Sequence, residues 1–259
     1  MKTILETKLN DGAELTVVRL IIPDELGSEP DWMYDFVIHE LPEQWFGYYR
    51  SLMDGKNTGC RDFIYAGIVD GVPCSRMWFG YSQKTGSGNF GNVLTLPEFR
   101  RRGLMGKILE CCIEDFYQTE AKFISCDAAA AAAPAYAASG FQRIVDPNKK
   151  PMALLAKKYA SFAEITAEAY ADTANAVVRP GEMADRFDCD KLLPYVPEVY
   201  FNRPTMPDYI TSYFLLNQQT AERPVVLEAA SGCCAGFRFQ GKIMLHPAFE
   251  SYRKKLENA

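Results

Sequence analysis

Val93-Leu94-Thr95-Leu96-Pro97-Glu98-Phe99-Arg100-Arg101-Arg102-Gly103-Leu104-Met105-Gly106 decides how this chain is read. Phe90 to Leu96 is an apolar strand that stops at Pro97. From Leu104 onward, Ile108, Cys111, Cys112, Asp115 and Phe116 recur at i+4, i+7, i+8 and beyond, with Lys107, Glu110 and Glu114 elsewhere, which predicts an amphipathic helix. A basic, glycine-containing loop therefore joins a strand to a helix. The first turn of a helix carries unpaired N–H groups and the positive end of the helix dipole. With arginines at 100, 101 and 102 beside it, a small anion belongs there.

Upstream, residues 13–22 read as a strand from their β-branched content, ended by Pro23-Asp24-Glu25. Trp32 to Met53 suits two short helices broken near Pro42. Phe63–Val69 and Cys74–Tyr81 flank Asp70-Gly71 and predict a hairpin, and residues 84–89 predict a flexible turn. Downstream come a strand at Phe123–Cys126, an alanine-rich helix over Ala128–Ala138 around Pro134, and an exit turn at Ser139–Ile144 into a further strand. This order predicts an α+β fold with a mixed, mainly antiparallel sheet flanked by helices.

The stretch from Val93 to Gly106 resembles the acyl-CoA-binding motif of the GNAT acetyltransferases, an Arg/Gln-x-x-Gly-x-Gly/Ala loop between a strand and a helix. Tyr136-Ala137-Ala138-Ser139-Gly140-Phe141 is similar to the family's Tyr-x-x-x-Gly-Phe signature, and the resemblance covers about residues 12–159. It implies acetyl-CoA as cosubstrate. Pyrophosphate oxygens would take backbone N–H groups of Arg102, Gly103, Leu104, Met105 and Gly106, with Arg101 alongside. The preceding strand splays from its neighbour in this family, so main-chain groups of Val93, Leu94 and Thr95 are expected to pair with pantetheine amides. Two places depart from the pattern. Met105 stands where Gly or Ala is common, and Ala129 where many members carry asparagine.

Acetyl transfer to an amine requires a neutral nucleophile, a stabilised oxyanion and a proton for the departing thiolate. By resemblance, Tyr136 is the proton donor, and a main-chain N–H near Thr95 the oxyanion donor. Many members use a strand glutamate as general base, yet Gly91 to Leu96 contains no carboxylate; Asp127 and a water relay remain as alternatives. Cys126 would permit an acyl-cysteine intermediate, but without a histidine beside it core packing is the better reading. His39 and His246 read as structural. Trp32, Tyr34, Phe36, Trp45, Phe46, Tyr48 and Tyr49 fall where the family builds its acceptor pocket, although core packing claims most of such rings.

Composition bounds the partners. A length of 259 residues favours two domains, read as 1–159 and 160–259. A net charge of −5 argues against nucleic acid as a partner, and the N-terminal residues suggest neither a signal peptide nor a membrane span, hence a cytoplasmic protein. Eight cysteines without Cys-x-x-Cys spacing, and two histidines, read as buried thiols and no metal site. In the second half, Val177-Val178-Arg179, Val196-Pro197-Glu198, the hairpin around Gly232 and His246-Pro247-Ala248-Phe249 echo Val17-Val18-Arg19, Leu41-Pro42-Glu43, the hairpin around Gly71 and Leu96-Pro97-Glu98-Phe99 in order. A truncated GNAT-like repeat is one reading, an unrelated small α+β domain the other. Without an Arg-x-x-Gly loop after Pro247 it should not bind CoA, which leaves it as a lid, a substrate wall, a surface for a protein partner or a homodimer contact. The irregular segment at Pro194, Pro197, Pro204 and Pro207 is a candidate for acceptor contacts. The expected activity is acetyl transfer to a primary amine of a small molecule or peptide through a ternary complex; a non-catalytic acyl-CoA-binding or sensing protein is the alternative.

Overall fold

The computed structural model describes residues 1–41, 43–202 and 224–259, with Glu43 and Gln44 as backbone only; Pro42, Pro204 and Pro207 lie outside the described residues. The first sheet has eight strands in the order β1-β2-β3-β4-β5-β6-β8-β7. These are β1 (Lys2–Lys8), β2 (Glu14–Ile22), β3 (Cys60–Val69), β4 (Val72–Ser82), β5 (Ser87–Thr95), β6 (Phe123–Asp127), β7 (Gln142–Arg143) and β8 (Pro151–Leu155). Every pair is antiparallel except β5 with β6. The expected mixed, mainly antiparallel sheet flanked by helices is thus present.

Most elements fall where the sequence puts them. Asp70 at φ +47° and Gly71 at φ +82° turn β3 into β4, the left-handed pair that a tight hairpin demands. Helices α1 (Asp31–Ile38) and α2 (Glu43–Met53) occupy one face through Met33, Val37, Tyr48, Tyr49 and Leu52. Helix α3 (Leu104–Phe116) buries Leu104, Ile108, Leu109, Cys112 and Phe116 on the other, beside α4 (Ala133–Ala138). Each such burial contributes roughly 1.5–3 kcal/mol for a large apolar side chain. All eight cysteines are free, and all but Cys111 are buried.

Three local expectations are corrected. Lys2–Lys8 adds an edge strand ahead of residues 13–22; its mostly exposed side chains gave no apolar signal. Ser87, Gly88 and Asn89 belong to β5, not to a turn, because they are buried between β4 and β6. Helix α4 starts only at Ala133, which puts Pro134 in its first turn, where a missing N–H costs nothing.

The second sheet runs β12-β11-β10-β9, from β9 (Val177–Pro180), β10 (Val225–Glu228), β11 (Cys234–Phe239) and β12 (Lys242–Leu245). This antiparallel meander has the same order as β2-β3-β4-β5. The likeness extends to single bonds. Leu96 N donates to Cys74 O at 2.9 Å and His246 N to Ala235 O at 2.8 Å, and each strand then enters a 3-10 turn at a proline, Pro97 or Pro247.

Helix α5 (Phe162–Ala169), a kinked helical segment over 185–195 and the second sheet share one core with Phe123, Ala153 and Leu155 of the first sheet. No described helix is long and apolar enough to cross a membrane.

Candidate functional site

Strands β5 and β6 pair at Ser87↔Phe123, Gly88↔Ile124 and Asn89↔Ser125, and no further. Beyond those pairs β5 runs on to Thr95 and β6 to Asp127, so the two strands part into a cleft. On its other side β5 stays with β4 to Ser75↔Thr95, with a register slip between Arg76 and Trp78. Two β5 residues, Asn92 and Val93, stand there opposite one of β4, a bulge that bends β5 and increases its twist. Asn92 takes φ +50° at this point.

The bulge is fastened to the end of α1. Arg76 donates from Nε to Asn92 Oδ1 (2.8 Å), from Nη1 to Phe36 O (2.5 Å) and from Nη2 to His39 O. Asn92 Nδ2 donates to Val37 O at 3.0 Å. Arg76 thus adds donors to carbonyls of the helix end, where Phe36 O otherwise accepts only a long bond from His39 N (3.4 Å), and burial lowers its pKa to about 10. Neither residue carried a sequence signal, since both roles depend on partners distant in the chain.

The loop after β5 opens at the mouth of this cleft. Gly103, at φ +86°, precedes α3, and a Cβ on Gly103 or Gly106 would meet nothing within 4 Å, so the helix start is sterically open. The first α3-region amide to find an acceptor is Lys107 N, on Gly103 O at 3.3 Å. The amides of Leu104, Met105 and Gly106 therefore point outward without an intrahelical acceptor, a geometry that suits phosphate oxygens. The guanidinium groups are less free than the sequence suggested. Arg102 Nε pairs with Asp11 Oδ2 at 2.6 Å, and Arg100 Nε donates to Thr95 O at 2.9 Å. Arg101 is exposed at φ +63°. Backbone donors rather than a triple charge make the site.

Val93, Leu94 and Thr95 lie half-buried on β5 beyond its last pair with β6. Tyr136 of α4 packs edge-on against Phe90 (centroids 5.4 Å apart) and beside Phe141 (5.5 Å). Its ring is buried, its hydroxyl has no protein partner among the described residues, and that oxygen is not among the enclosed unpaired polar atoms, which leaves the tip at the accessible edge. Burial pushes its pKa well up, with the Cys126 and Cys112 thiols adding to the shift. Cys126 is itself pushed up to about 12 by burial, so no thiolate is available at neutral pH and the packing reading holds.

Of the aromatic group, Tyr48 and Tyr49 are core, edge-on to Trp78 at 5.7 Å each. Phe36 lies nearest the bulge, under the Arg76 guanidinium at 5.5 Å. His246 accepts from Ala248 N at 3.2 Å and packs on Tyr170, a structural role.

No family model and no curated protein matches the chain. Among solved structures it is similar to the ribosomal-protein-S18-alanine N-acetyltransferase of Escherichia coli, at 18% identity over 54% of this chain and 90% of that one, TM-score 0.34. It is similar to a GNAT-family acetyltransferase of Staphylococcus aureus at 10% identity, 54% and 100% coverage, TM-score 0.39. It is also similar to Tetrahymena GCN5 at 10% identity, 56% and 99% coverage, TM-score 0.40. The matches are consistently acetyltransferases and span about half of this chain. At TM-scores of this size they carry no argument; the strand order, the parted strands and the open helix start do.

Proposed function

We propose that this protein transfers the acetyl group of acetyl-CoA to a primary amine of a small molecule or peptide in a ternary complex. The observation that carries this reading is the parting of β5 from β6 after Asn89↔Ser125, directly beside the glycine-opened start of α3. A pyrophosphate seated on the amides of Leu104, Met105 and Gly106 sends its pantetheine arm along the stretch Val93, Leu94 and Thr95, where β5 keeps its pairing with β4 but has parted from β6. The thioester then lies near Phe90 and Cys126, within reach of the Tyr136 hydroxyl. Arg101, Arg102 and Gly103 complete the loop through backbone shape rather than charge. A strand N–H in the cleft holds the oxyanion, and Tyr136 supplies a proton to the departing sulfur. Residues 1–159 hold this machinery, and residues 160–259 form a GNAT-like half without a CoA loop that walls the cleft.

The test is thiol release from acetyl-CoA with a panel of primary amines. Tyr136→Phe should lower kcat by about 10²–10⁴-fold while acetyl-CoA affinity stays within twofold. Tight acetyl-CoA binding with no amine turned over would instead point to a sensor.

A further inference from the structure

Strand β6 presents alternate residues to opposite faces. Ile124 and Cys126 join the core beneath α3 and α4, together with Tyr136, whereas Phe123 joins the core shared with the second sheet. Asp127 has the parity of Phe123 and Ser125, so it projects to the face away from Tyr136. It lies two residues past the last β5–β6 pair, Asn89↔Ser125, and is therefore level with Gly91 across the open gap.

On that face the helical segment 185–195 brings two side chains to Asp127. Tyr195 Oη donates to Asp127 Oδ2 at 2.9 Å, and Lys191 Nζ donates to the same oxygen and to Tyr195 Oη, both at 3.3 Å. Tyr195 is buried and the Lys191 side chain only 15% exposed, so both are held by packing, whereas the Asp127 side chain is 51% exposed. Both donors crowd Oδ2. Oδ1 takes no donor among the described residues, on a side chain that is half exposed. Cys126 lies on the Tyr136 face of the strand.

We infer that Asp127 Oδ1 is the binding point of the acceptor's ammonium group, and that Tyr195 and Lys191 are positioning residues by which the second half of the chain completes the acceptor site. This rests on the acetyl-transfer reading above. It identifies the acceptor as a cation presented from the face opposite α3 and α4, the side the pantetheine arm leaves free. The protons balance. One leaves the ammonium to Asp127 and passes to solvent, after which the nitrogen lone pair forms the C–N bond. The C–S bond breaks as the tetrahedral oxyanion collapses, and the second proton of that nitrogen reaches the sulfur by way of Tyr136. Ammonium and thioester give amide, thiol and one released proton.

Steady-state kinetics of the full chain with acetyl-CoA and phenethylamine, spermidine or an alanyl tripeptide test the inference. Losing a charge-assisted hydrogen bond, Asp127→Asn should raise the amine KM about ten- to a hundredfold and leave the acetyl-CoA KM within twofold. Tyr195→Phe, which removes one oxygen and serves if Asp127→Asn fails to fold, should raise the amine KM severalfold. Lys191→Met should do the same and Lys191→Arg restore it. An unchanged amine KM in Asp127→Asn and Tyr195→Phe, with only the Tm lowered, overturns the inference and makes the cluster a fastener between the halves, while acetyl transfer stands. A wild-type chain that binds acetyl-CoA but acetylates none of the three amines overturns both.

Discussion

At the scale of single residues, the proposed chemistry separates Tyr136 from Cys126. Both sit by the parted strands, and burial pushes both pKa values up. For a nucleophile that shift is disabling, since a thiol at about 12 keeps its proton. For an acid it means that the phenol, held above its ordinary value of about 10, stays protonated wherever an amine can react but is a weaker donor, and so serves as a relay that gives its proton to sulfur as it receives the one from nitrogen. Cys126→Ala should therefore keep more than about a tenth of the wild-type kcat, the loss coming from packing alone. Initial-velocity lines should intersect when both substrates are varied, as a ternary complex requires. Parallel lines together with an inactive Cys126→Ala would establish an acyl-cysteine route instead.

At the scale of the element, the cleft depends on where β5 is tight and where it is free. A Cβ on Gly88 would stand 2.7 Å from Phe123 O and 3.0 Å from Gly80 O, both backbone atoms that cannot yield. A Cβ on Gly91 would meet only Trp78, at 4.0 Å. Gly88→Ala should accordingly break the paired base of the cleft and cost several kcal/mol, whereas Gly91→Ala should stay within about 0.5 kcal/mol of wild type. Urea unfolding of the two variants measures the contrast, and equal stabilities would mean that the strands do not meet as described. The same glycines show how far the sequence could be read. Local turn chemistry and helical periodicity were enough for the hairpin at Asp70-Gly71, for α3 and for the open loop at Gly103. The run Lys84-Thr-Gly-Ser-Gly-Asn89 has turn composition, yet its last three residues are strand because another strand needs to approach Gly88 closely. That requirement is tertiary and leaves no local trace. The ties of Arg76 and Asn92 to α1, and of Lys191 and Tyr195 to Asp127, were invisible for the same reason.

At the scale of the whole molecule, the halves are joined by buried charge as well as by the core around Phe123 and Phe237. Asp62 accepts from Tyr48 Oη at 3.0 Å and Trp78 Nε1 at 2.9 Å through Oδ1, while its Oδ2 has no hydrogen-bond partner among the described residues. Arg186 of the second half donates to Tyr48 Oη and lies 3.9 Å from that ring. Asp188, also fully buried, accepts from Cys234 N at 2.9 Å and from Thr85 Oγ1 of the first half at 3.2 Å. Desolvation pushes both carboxyls up to about 6, with neighbouring donors and Arg186 pulling back on Asp62. A carboxyl raised in the folded state takes up its proton before the unfolded chain does, so the native form binds more protons between about 6 and the unfolded value near 3.9. Across that window these two groups make the protein more stable as pH falls, opposite to an ordinary salt-bridged carboxylate. Asp62→Asn removes one titration and places an amide where the unpaired Oδ2 stands. Its Tm relative to wild type should therefore be more favourable at pH 7.5, where wild-type Asp62 is ionised, than at pH 4.5, where it is neutral. Thermal melts of both proteins from pH 4.5 to 7.5 decide this. A Tm difference that stays constant over the range would mean that Asp62 does not change charge in the fold, and that the junction of the two halves does not respond to pH through it.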